Sequence, residues 1–245
     1  MKNSLYLLLV VIVASCQPKE TNDAQEVEAT PSTISEGPVF NVENSDPKAI
    51  EIADKVMEAM GGQSAWDSLR YISWNFFGAR DLVWDKQTGR VRIDFPRDSS
   101  VFLVNINTME GKVMRNEAIV TDSLEKELQT AKSIWINDSY WLVMPFKLKD
   151  PGVTLTYARE YAVPSGEEYD VLELNFEGVG NTPNNKYEVF VDRSDNLIKQ
   201  WSYFKDAAQD SVSATWPWNN YQEYQGVMLS SDRSDNKGPK NVQVF

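Results

Sequence analysis

The stretch Tyr71-Ile72-Ser73-Trp74-Asn75-Phe76 decides the fold class, because apolar side chains recur at every second position. A period of two is typical of a β-strand that buries one face and exposes the other. Residues 91–95 (Val-Arg-Ile-Asp-Phe) repeat the pattern after a turn at residues 86–89. Residues 101–104 continue it, so we predict an antiparallel meander of three strands in this part of the chain.

Similar short segments fill the C-terminal half of the sequence. Turn-forming residues separate them at 164–166, 182–185 and 193–196, where Pro, Gly, Asn, Asp and Ser cluster. The further predicted strands are 112–115, 118–121, 153–161, 168–176, 186–192, 197–204, 211–218, 226–230 and 242–245.

Helical patterns occur at three places. Asp46-Pro47 resembles a helix start, and apolar residues at helical spacing follow it as far as the Gly61-Gly62 pair, so we predict a helix over 47–60. Two more are predicted over 63–69 and over 122–146, the last with a break. The predicted fold class is α+β: one large, curved, mostly antiparallel sheet of about ten to twelve strands, a half-barrel whose concave face is covered by a few helices.

The N-terminus has the pattern of a bacterial lipoprotein signal. Lys2 precedes an apolar run that is too short to span a bilayer, and Val13-Ala14-Ser15-Cys16 resembles the lipobox, in which the cysteine is acylated and becomes the mature N-terminus. We therefore predict a signal peptide over 1–15, lipid attachment at Cys16 with a flexible tether over 16–46, and one folded domain over 47–245. Cleavage removes Lys2 and no acidic residue, which takes the net charge from −12 to about −13.

Composition excludes several classes of function. The 245 residues contain no His and a single Cys, so Ser-His-Asp and Cys-His catalysis, His-ligated metal sites, internal disulfides and cysteine-held clusters are excluded. The 36 acidic residues outnumber the 24 basic ones, which argues against binding to nucleic acid or to anionic lipid surfaces. We expect no cofactor, no metal and no nucleic-acid partner.

A sheet with one apolar face must cover that face, and three helices are few for a sheet of this size. The uncovered surface would form an apolar cavity for a lipid or another greasy ligand. The alternation of residues along the predicted strands and the apolar run at 140–146 indicate which residues line this cavity. The alternative, a tightly packed aromatic core, remains open from the sequence. The predicted lining residues are Ile72, Trp74, Phe76, Trp141, Met144, Phe146, Leu172, Leu174 and Phe176.

Four stretches of the domain resemble the LolA/LolB-like lipoprotein-carrier superfamily, and within it the envelope lipoproteins that share its half-barrel. They are residues 56–62 with Trp66, residues 90–95, residues 140–148 and residues 220–229, although Ser230 replaces the usual proline of the last motif. Their order along the chain is more specific than any one of them. The resemblance implies an antiparallel half-barrel, an apolar cavity and lid helices that bind acyl chains.

This sequence differs from the soluble members of that superfamily in one respect that bears on function. The soluble carriers of that superfamily have no lipid anchor, whereas this chain has the predicted attachment site Cys16. A tethered acceptor, sensor or binder is therefore favoured over a free shuttle. The anchored receptor-type members use a protruding apolar loop, for which we find no clear counterpart in the sequence.

Other motifs give weaker signals. The acidic pairs Glu125/Glu127, Glu167/Glu168 and Asp192/Asp195 could serve a glycosidase, but in so acidic a chain a solvated face is the better interpretation. Residues 192–196 lack the glycine and closing glutamate of a calcium loop and predict a hairpin turn instead. Residues 216–218 (Trp-Pro-Trp) indicate aromatic packing at an edge strand. We assign no catalytic residue.

These observations predict a non-enzymatic lipoprotein of the bacterial envelope. It would be anchored through acylated Cys16, on the outer membrane facing the periplasm, and would bind a lipid or a lipoprotein acyl chain in the half-barrel cavity. We expect a monomer, with another envelope protein as a possible partner. Two alternatives stay open: a carboxylate-dependent hydrolase of envelope glycans, and an adaptor that binds a protein through an exposed aromatic patch.

Overall fold

The computed structural model describes residues 39–245. Its largest element is a seven-stranded sheet, antiparallel throughout, in the order β14-β1-β2-β3-β4-β5-β6. One face is apolar because the alternating residues Ile72, Ile93 and Val113 are all fully buried. The strands are β1 (Tyr71–Phe76), β2 (Arg80–Asp85), β3 (Arg90–Phe95), β4 (Ser100–Asn105), β5 (Gly111–Arg115), β6 (Ala118–Ile119) and β14 (Pro239–Val244).

A second antiparallel sheet has five strands in the order β11-β10-β9-β8-β7. A separate hairpin, β12–β13, follows it in the chain. Leu172 and Leu174 lie on the buried face of β8, as strand alternation requires. The strands are β7 (Val153–Ala162), β8 (Glu168–Phe176), β9 (Lys186–Asp192), β10 (Ile198–Phe204), β11 (Ala214–Pro217), β12 (Asn219–Tyr224) and β13 (Val227–Asp232).

Three α-helices accompany the sheets: α1 (Pro47–Ala59), α2 (Gly62–Ser68) and α3 (Leu124–Val143), the last followed by a short 3₁₀ helix, Met144–Lys147. Pro47 occupies the first turn of α1, where its missing N–H costs nothing. Between α1 and α2, Gly61 has φ 110°, and a Cβ there would lie 2.0 Å from the carbonyl oxygen of Gly226. Only glycine fits this close approach of the helix end to the β12–β13 turn.

Helix α3 contacts the seven-stranded sheet at β4 and β5, and it also contacts β13 and the 3₁₀ helix. Helix α1 packs on β7, on α2 and on the 3₁₀ helix. Residues 39–46 run beside β7, where the Asn41 N–H donates to the Val153 carbonyl at 3.1 Å and the Asp46 N–H donates to the Leu155 carbonyl at 2.8 Å. None of the helices in residues 39–245 is both long enough and apolar enough to cross a membrane.

The predicted fold class is confirmed: α+β, with mostly antiparallel open sheets and three helices. The strands number fourteen in three sheets, rather than about ten to twelve in one. The additional strands are β2, whose three central residues are all apolar, and β12, which is almost wholly polar, so neither alternates clearly. Helix α3 also runs without the predicted break, because Pro145 lies beyond its last turn.

The domain boundaries remain a prediction, with one observed difference. Residues 39–46, assigned to the tether from the sequence, hydrogen-bond to β7 and lie with the folded domain. The predicted signal peptide, the lipid-attachment residue Cys16 and the tether up to residue 38 lie outside the described residues.

Candidate ligand-binding cleft

Helix α3 carries a row of large side chains at helical spacing. Ile136 and Tyr140 are four residues apart, and Trp141 follows, so these side chains share one side of the helix. The Tyr140 ring lies 5.5 Å from that of Tyr187 on β9, and the Trp141 ring lies 5.0 Å from that of Trp201 on β10. This side of α3 therefore faces the five-stranded sheet.

The sheet contributes an aromatic wall. Trp201 and Trp216 are register partners on β10 and β11, and their rings stack 5.1 Å apart. Tyr187 meets Trp201 edge to face at 5.0 Å, and Phe176 at the end of β8 meets Tyr187 at 4.8 Å. Rings that meet edge to face attract one another.

Two cavities lie between the helix and this wall, one of about 150 Å³ and one of about 170 Å³. Their linings overlap at Ile136, Tyr140, Phe176, Val179 and Gly180. We name the pair the aromatic cleft. The first cavity is lined in addition by Asn137, Trp141, Asn181, Thr182, Tyr187 and Trp201, and the second by Trp135, Ser139, Lys147, Asp150, Pro151 and Val153.

The β8–β9 loop closes one side of the cleft. Val179 and Gly180 border both cavities, and the Asn181 side-chain amide donates to the Ser133 carbonyl on α3 at 3.0 Å. Gly178 and Gly180 have positive φ, with open space where a Cβ would lie. This loop is held to α3 by few contacts, as expected for a cover that can be displaced.

The chemistry of the cleft is apolar and almost uncharged. None of the described residues that line the first cavity carries a carboxylate, an ammonium or a guanidinium group. In the second cavity Lys147 and Asp150 form an ion pair with one another. Burial raises the pKa of the Tyr140 hydroxyl well above its usual value. Burial also raises the pKa of Tyr187, so both tyrosines are neutral at ordinary pH.

Two arginines fix the position of α3. Asp138, fully buried, accepts two hydrogen bonds from Arg80 on β2, at 2.6 and 2.7 Å. Arg233, also buried, donates to the Trp141 carbonyl at 2.6 Å and lies 3.3 Å from the Trp218 ring centroid. Burial lowers the pKa of the Arg233 guanidinium to about 9, and the guanidinium also donates to the Ser230 hydroxyl, the Ser230 carbonyl and the Asp232 carbonyl. These contacts hold the helix that forms one wall of the cleft.

Two of the nine predicted lining residues reach the aromatic cleft, namely Trp141 and Phe176. The other seven do not border its two cavities. Phe76 is half-buried against the ring of Phe77 at 4.8 Å. The remaining six lie in the packed core: Ile72, Trp74, Met144, Phe146, Leu172 and Leu174.

The lining residues that were not predicted include four aromatic ones: Trp135, Tyr140, Tyr187 and Trp201. Trp201 lies on a strand whose sequence alternates, and Tyr140 belongs to an apolar run, so the sequence pattern could have indicated both. Tyr187 is the second residue of its strand, close after a polar loop. Its place in the cleft depends on the register of β9 against β8, which a single sequence does not reveal.

A larger space, about 750 Å³, lies on the opposite face of the seven-stranded sheet. It is an open groove lined by charged side chains of both signs, among them Arg70, Arg92 and Asp85. Arg92 is paired with Asp94 at 2.6 Å, and Arg70 lies 3.7 Å from Asp85. Since neighbouring carboxylates already partner these arginines, the groove offers less to a ligand than the enclosed cleft does.

The remaining sequence motifs have structural roles. Asp192 and Asp195 flank the β9–β10 turn, where Asp192 accepts from the Ser194 N–H at 2.8 Å, so the predicted hairpin turn is confirmed. Pro217 ends the edge strand β11, as predicted. Glu127 pairs with Arg115, and its neighbour Glu125 is exposed. In residues 39–245 no cluster of three acidic residues has the geometry to hold a metal ion.

Comparison with known proteins gives structural neighbours only. No family model and no curated protein matches the chain. A DUF1329 family protein from Desulfovibrio piger aligns with a TM-score of 0.42 at 12% identity, over 82% of this chain and 94% of its own. A LolA superfamily protein from Nitrosomonas europaea aligns with a TM-score of 0.42 at 12% identity, over 80% and 93%. MucB aligns with a TM-score of 0.26 at 12% identity, over 78% and 68%.

Proposed function

We propose that this protein is a non-enzymatic lipoprotein of the bacterial envelope, tethered through acylated Cys16, that binds an acyl chain in the aromatic cleft. The observation that carries the proposal is the cleft itself. Two apolar cavities remain open between α3 and an aromatic sheet wall, in a domain whose other core positions are packed. An enclosed apolar space with few polar groups is the general form of a small-ligand site.

The size of the cleft limits what it can hold. Each cavity is smaller than the ~300 Å³ at which ligand sites usually begin, whereas the two joined would reach that size. One acyl chain, or the end of one, fits such a space better than a whole lipid. Burying about five methylene groups at ~0.8 kcal/mol each contributes about 4 kcal/mol. This gives weak, reversible binding, which suits a protein that accepts and releases its ligand.

The proposed lipid anchor suits a protein that binds acyl chains weakly and reversibly. Two or three acyl chains on Cys16 hold a protein on a membrane almost permanently. The domain could then sample lipids or lipoproteins near its own membrane. We infer the outer membrane, facing the periplasm, as its location. A lipidated envelope protein is the corresponding ligand source, and a second envelope protein remains a possible partner.

The described carboxylates give little support to the alternative of a glycan hydrolase. Three acidic side chains are buried, and each has its own partner: Asp138 with Arg80, Glu188 with Arg159, and Asp85 with the Gln87 and Thr88 N–H groups. A glycosidase needs two carboxyl groups that face each other across a substrate. The adaptor alternative is also weaker, because the exposed large apolar residues of the described domain lie on separate elements rather than in one patch.

The experiment is native mass spectrometry of the full chain, extracted gently from its own membrane. We expect a bound species with the mass of a fatty-acyl lipid, in addition to the acylation of Cys16. The matched control is the variant Ile136→Trp, which puts a bulky ring where both cavities meet. It should keep the Cys16 acylation and lose the bound species. A wild-type protein that carries no lipid, and that takes up none when acyl lipids are added, would contradict the proposal.

The anchor has a test of its own. Cys16→Ser removes the thiol that the acylation chemistry needs. We expect the variant to be released in soluble form from cells whose outer membrane has been opened, whereas the wild type sediments with membranes. Membrane retention of the variant would show that something other than acyl chains holds the protein there.

A further inference from the structure

Tyr140 borders both cavities of the aromatic cleft, as do Ile136, Phe176, Val179 and Gly180. Its hydroxyl is shielded from solvent and has no hydrogen-bond partner among the described residues. A buried hydroxyl without a partner is costly, since folding removes its bond to water and supplies no replacement. Tyr140 therefore lacks one interaction that a ligand could provide.

The neighbouring unpaired groups are all donors. The indole N–H of Trp201, in the wall of the first cavity, has no hydrogen-bond partner within residues 39–245, and neither has that of Trp135 in the wall of the second. Unpaired indole N–H groups also occur at Trp74, Trp84 and Trp218, which border neither cavity. The tryptophans alone would not distinguish the cleft, so Tyr140 carries the inference. Its raised pKa keeps the proton on the hydroxyl, where it is available for donation.

The unpaired hydrogen-bond donors of the cleft favour a ligand that carries hydrogen-bond acceptors. A carbonyl oxygen has two lone pairs and no proton, so it can accept from a hydroxyl and from an indole N–H together. A phosphate or carboxylate would bring a negative charge into a space whose one cationic side chain, Lys147, is already paired with Asp150. Burying an unpaired charge is far more costly than burying a neutral carbonyl. A neutral ester or amide carbonyl is the acceptor that fits.

We propose that, when an acyl ligand enters the aromatic cleft, Tyr140 turns its buried hydroxyl toward the ligand and donates a hydrogen bond to the ester or amide carbonyl. This rests on the proposed function and deepens it. The alkyl part would occupy the apolar cavities, and the carbonyl would lie beside Tyr140. The cleft would thereby distinguish an esterified or amide-linked acyl chain from a plain hydrocarbon and from an ionised fatty acid.

Tryptophan fluorescence allows a direct test, because four tryptophans lie in or beside the cleft wall: Trp135, Trp141, Trp201 and Trp216. Bromine on an acyl chain quenches an indole that it touches. The full chain is titrated with a brominated fatty acid methyl ester and, separately, with a brominated alkane of the same length. We expect the wild type to bind the ester about tenfold more tightly than the alkane, the factor that one buried hydrogen bond supplies.

The deciding variant is Tyr140→Phe, which removes the hydroxyl and keeps the ring. Its affinity for the ester should fall about tenfold and its affinity for the alkane should not change. Tyr221→Phe is the matched control: it removes the hydroxyl of another partly buried tyrosine, one that lines neither cavity and donates to the Ile198 carbonyl at 2.8 Å. This control should retain the preference for the ester. Since Tyr140→Phe deletes an unpaired group, we expect it to fold at least as stably as the wild type.

The outcomes separate the two proposals. If the wild type binds neither probe, the proposed function fails and the inference fails with it. If it binds both probes and Tyr140→Phe changes neither affinity, acyl binding stands and the role of Tyr140 is wrong. Infrared spectra of the bound ester provide an independent readout. The carbonyl band should lie at lower frequency in the wild type than in Tyr140→Phe, and equal bands would overturn the hydrogen bond.

Discussion

Helix α3 lies between two sheets and meets them with different side chains. Toward the seven-stranded sheet it presents Leu128, whose methyl group lies close to Gly111 on β5, and Asp138, which binds Arg80. Toward the five-stranded sheet it presents Tyr140 and Trp141, which meet other aromatic rings. Trp135 also meets Trp84 on β2 at 5.2 Å, so both sides contain aromatic pairs, and the aromatic cleft lies on the second side.

The two sides differ in how completely they are filled rather than in hydrophobicity. Leu128 is buried against the seven-stranded sheet, whereas Ile136 and Tyr140 border open space. Both sides carry large apolar residues, and a hydropathy pattern does not distinguish them. The packed side fixes the helix, and the side with the cleft leaves room for a ligand. Four predictions test this division of roles.

The largest effect is expected where α3 is fixed to the seven-stranded sheet. Asp138→Ala removes the partner of Arg80, whose side chain is only 19% exposed. A buried arginine without its carboxylate should lower the free energy of unfolding by about 3–5 kcal/mol. Denaturant unfolding would measure the loss.

The chain offers a matched control for this pair. Arg92 and Asp94 have the same two-bond geometry on the outer face of the sheet, but the arginine is 52% exposed. Asp94→Ala should cost less than about 1 kcal/mol. Equal losses in the two variants would mean that burial does not strengthen the link between α3 and the sheet.

Two truncations on α3 compare its sides directly. Leu128 is 5% exposed and packs against β5, and Leu128→Ala should cost about 3 kcal/mol because it opens a cavity in a filled region. Ile136 already borders both cavities, so Ile136→Ala should cost about 1 kcal/mol. Thermal or urea unfolding of both variants measures the difference. A larger loss at Ile136 would indicate that the cleft is as tightly packed as the core.

Filling the cleft should raise the free energy of unfolding, whereas the truncations lower it. Val179 borders both cavities, and Val179→Phe should occupy part of that space, raise the free energy of unfolding by up to about 1 kcal/mol and weaken binding of the brominated ester at least tenfold. Val212→Phe adds the same ring at an exposed loop residue and should change neither quantity. A Val179→Phe protein that binds the ester as the wild type does would place the acyl site elsewhere.

The sequence predicted the sheets better than it predicted the cleft. The ranges of β8 and β9 agree with the structure to the residue, because both strands alternate and clear turn signals bound them. Strand β12 reads Asn-Asn-Tyr-Gln-Glu-Tyr, so it has no apolar alternation to detect. The cleft depends on which side of α3 faces which sheet, and on the register that places Tyr187 beside Trp201. Those are long-range pairings, and local patterns do not contain them.

The smallest predicted effect concerns acid stability at Asp170, on β8 of the five-stranded sheet. Burial tends to raise the pKa of Asp170, but hydrogen bonds from Arg193 at 2.7 Å and from Tyr157 at 2.8 Å outweigh it, and the pKa is lowered. The native state therefore binds this proton less readily than the unfolded chain does. The stabilisation is complete above the usual aspartate pKa of 3.8 and is lost as the pH falls through the lower native value.

Asp170→Asn removes this titration. It should be less stable than the wild type near neutral pH, by at most about 1 kcal/mol, and the difference should shrink as the pH falls below 3.8. Urea unfolding at a series of pH values gives the measurement. A constant difference across that range would mean that the ion pair contributes nothing that depends on protonation.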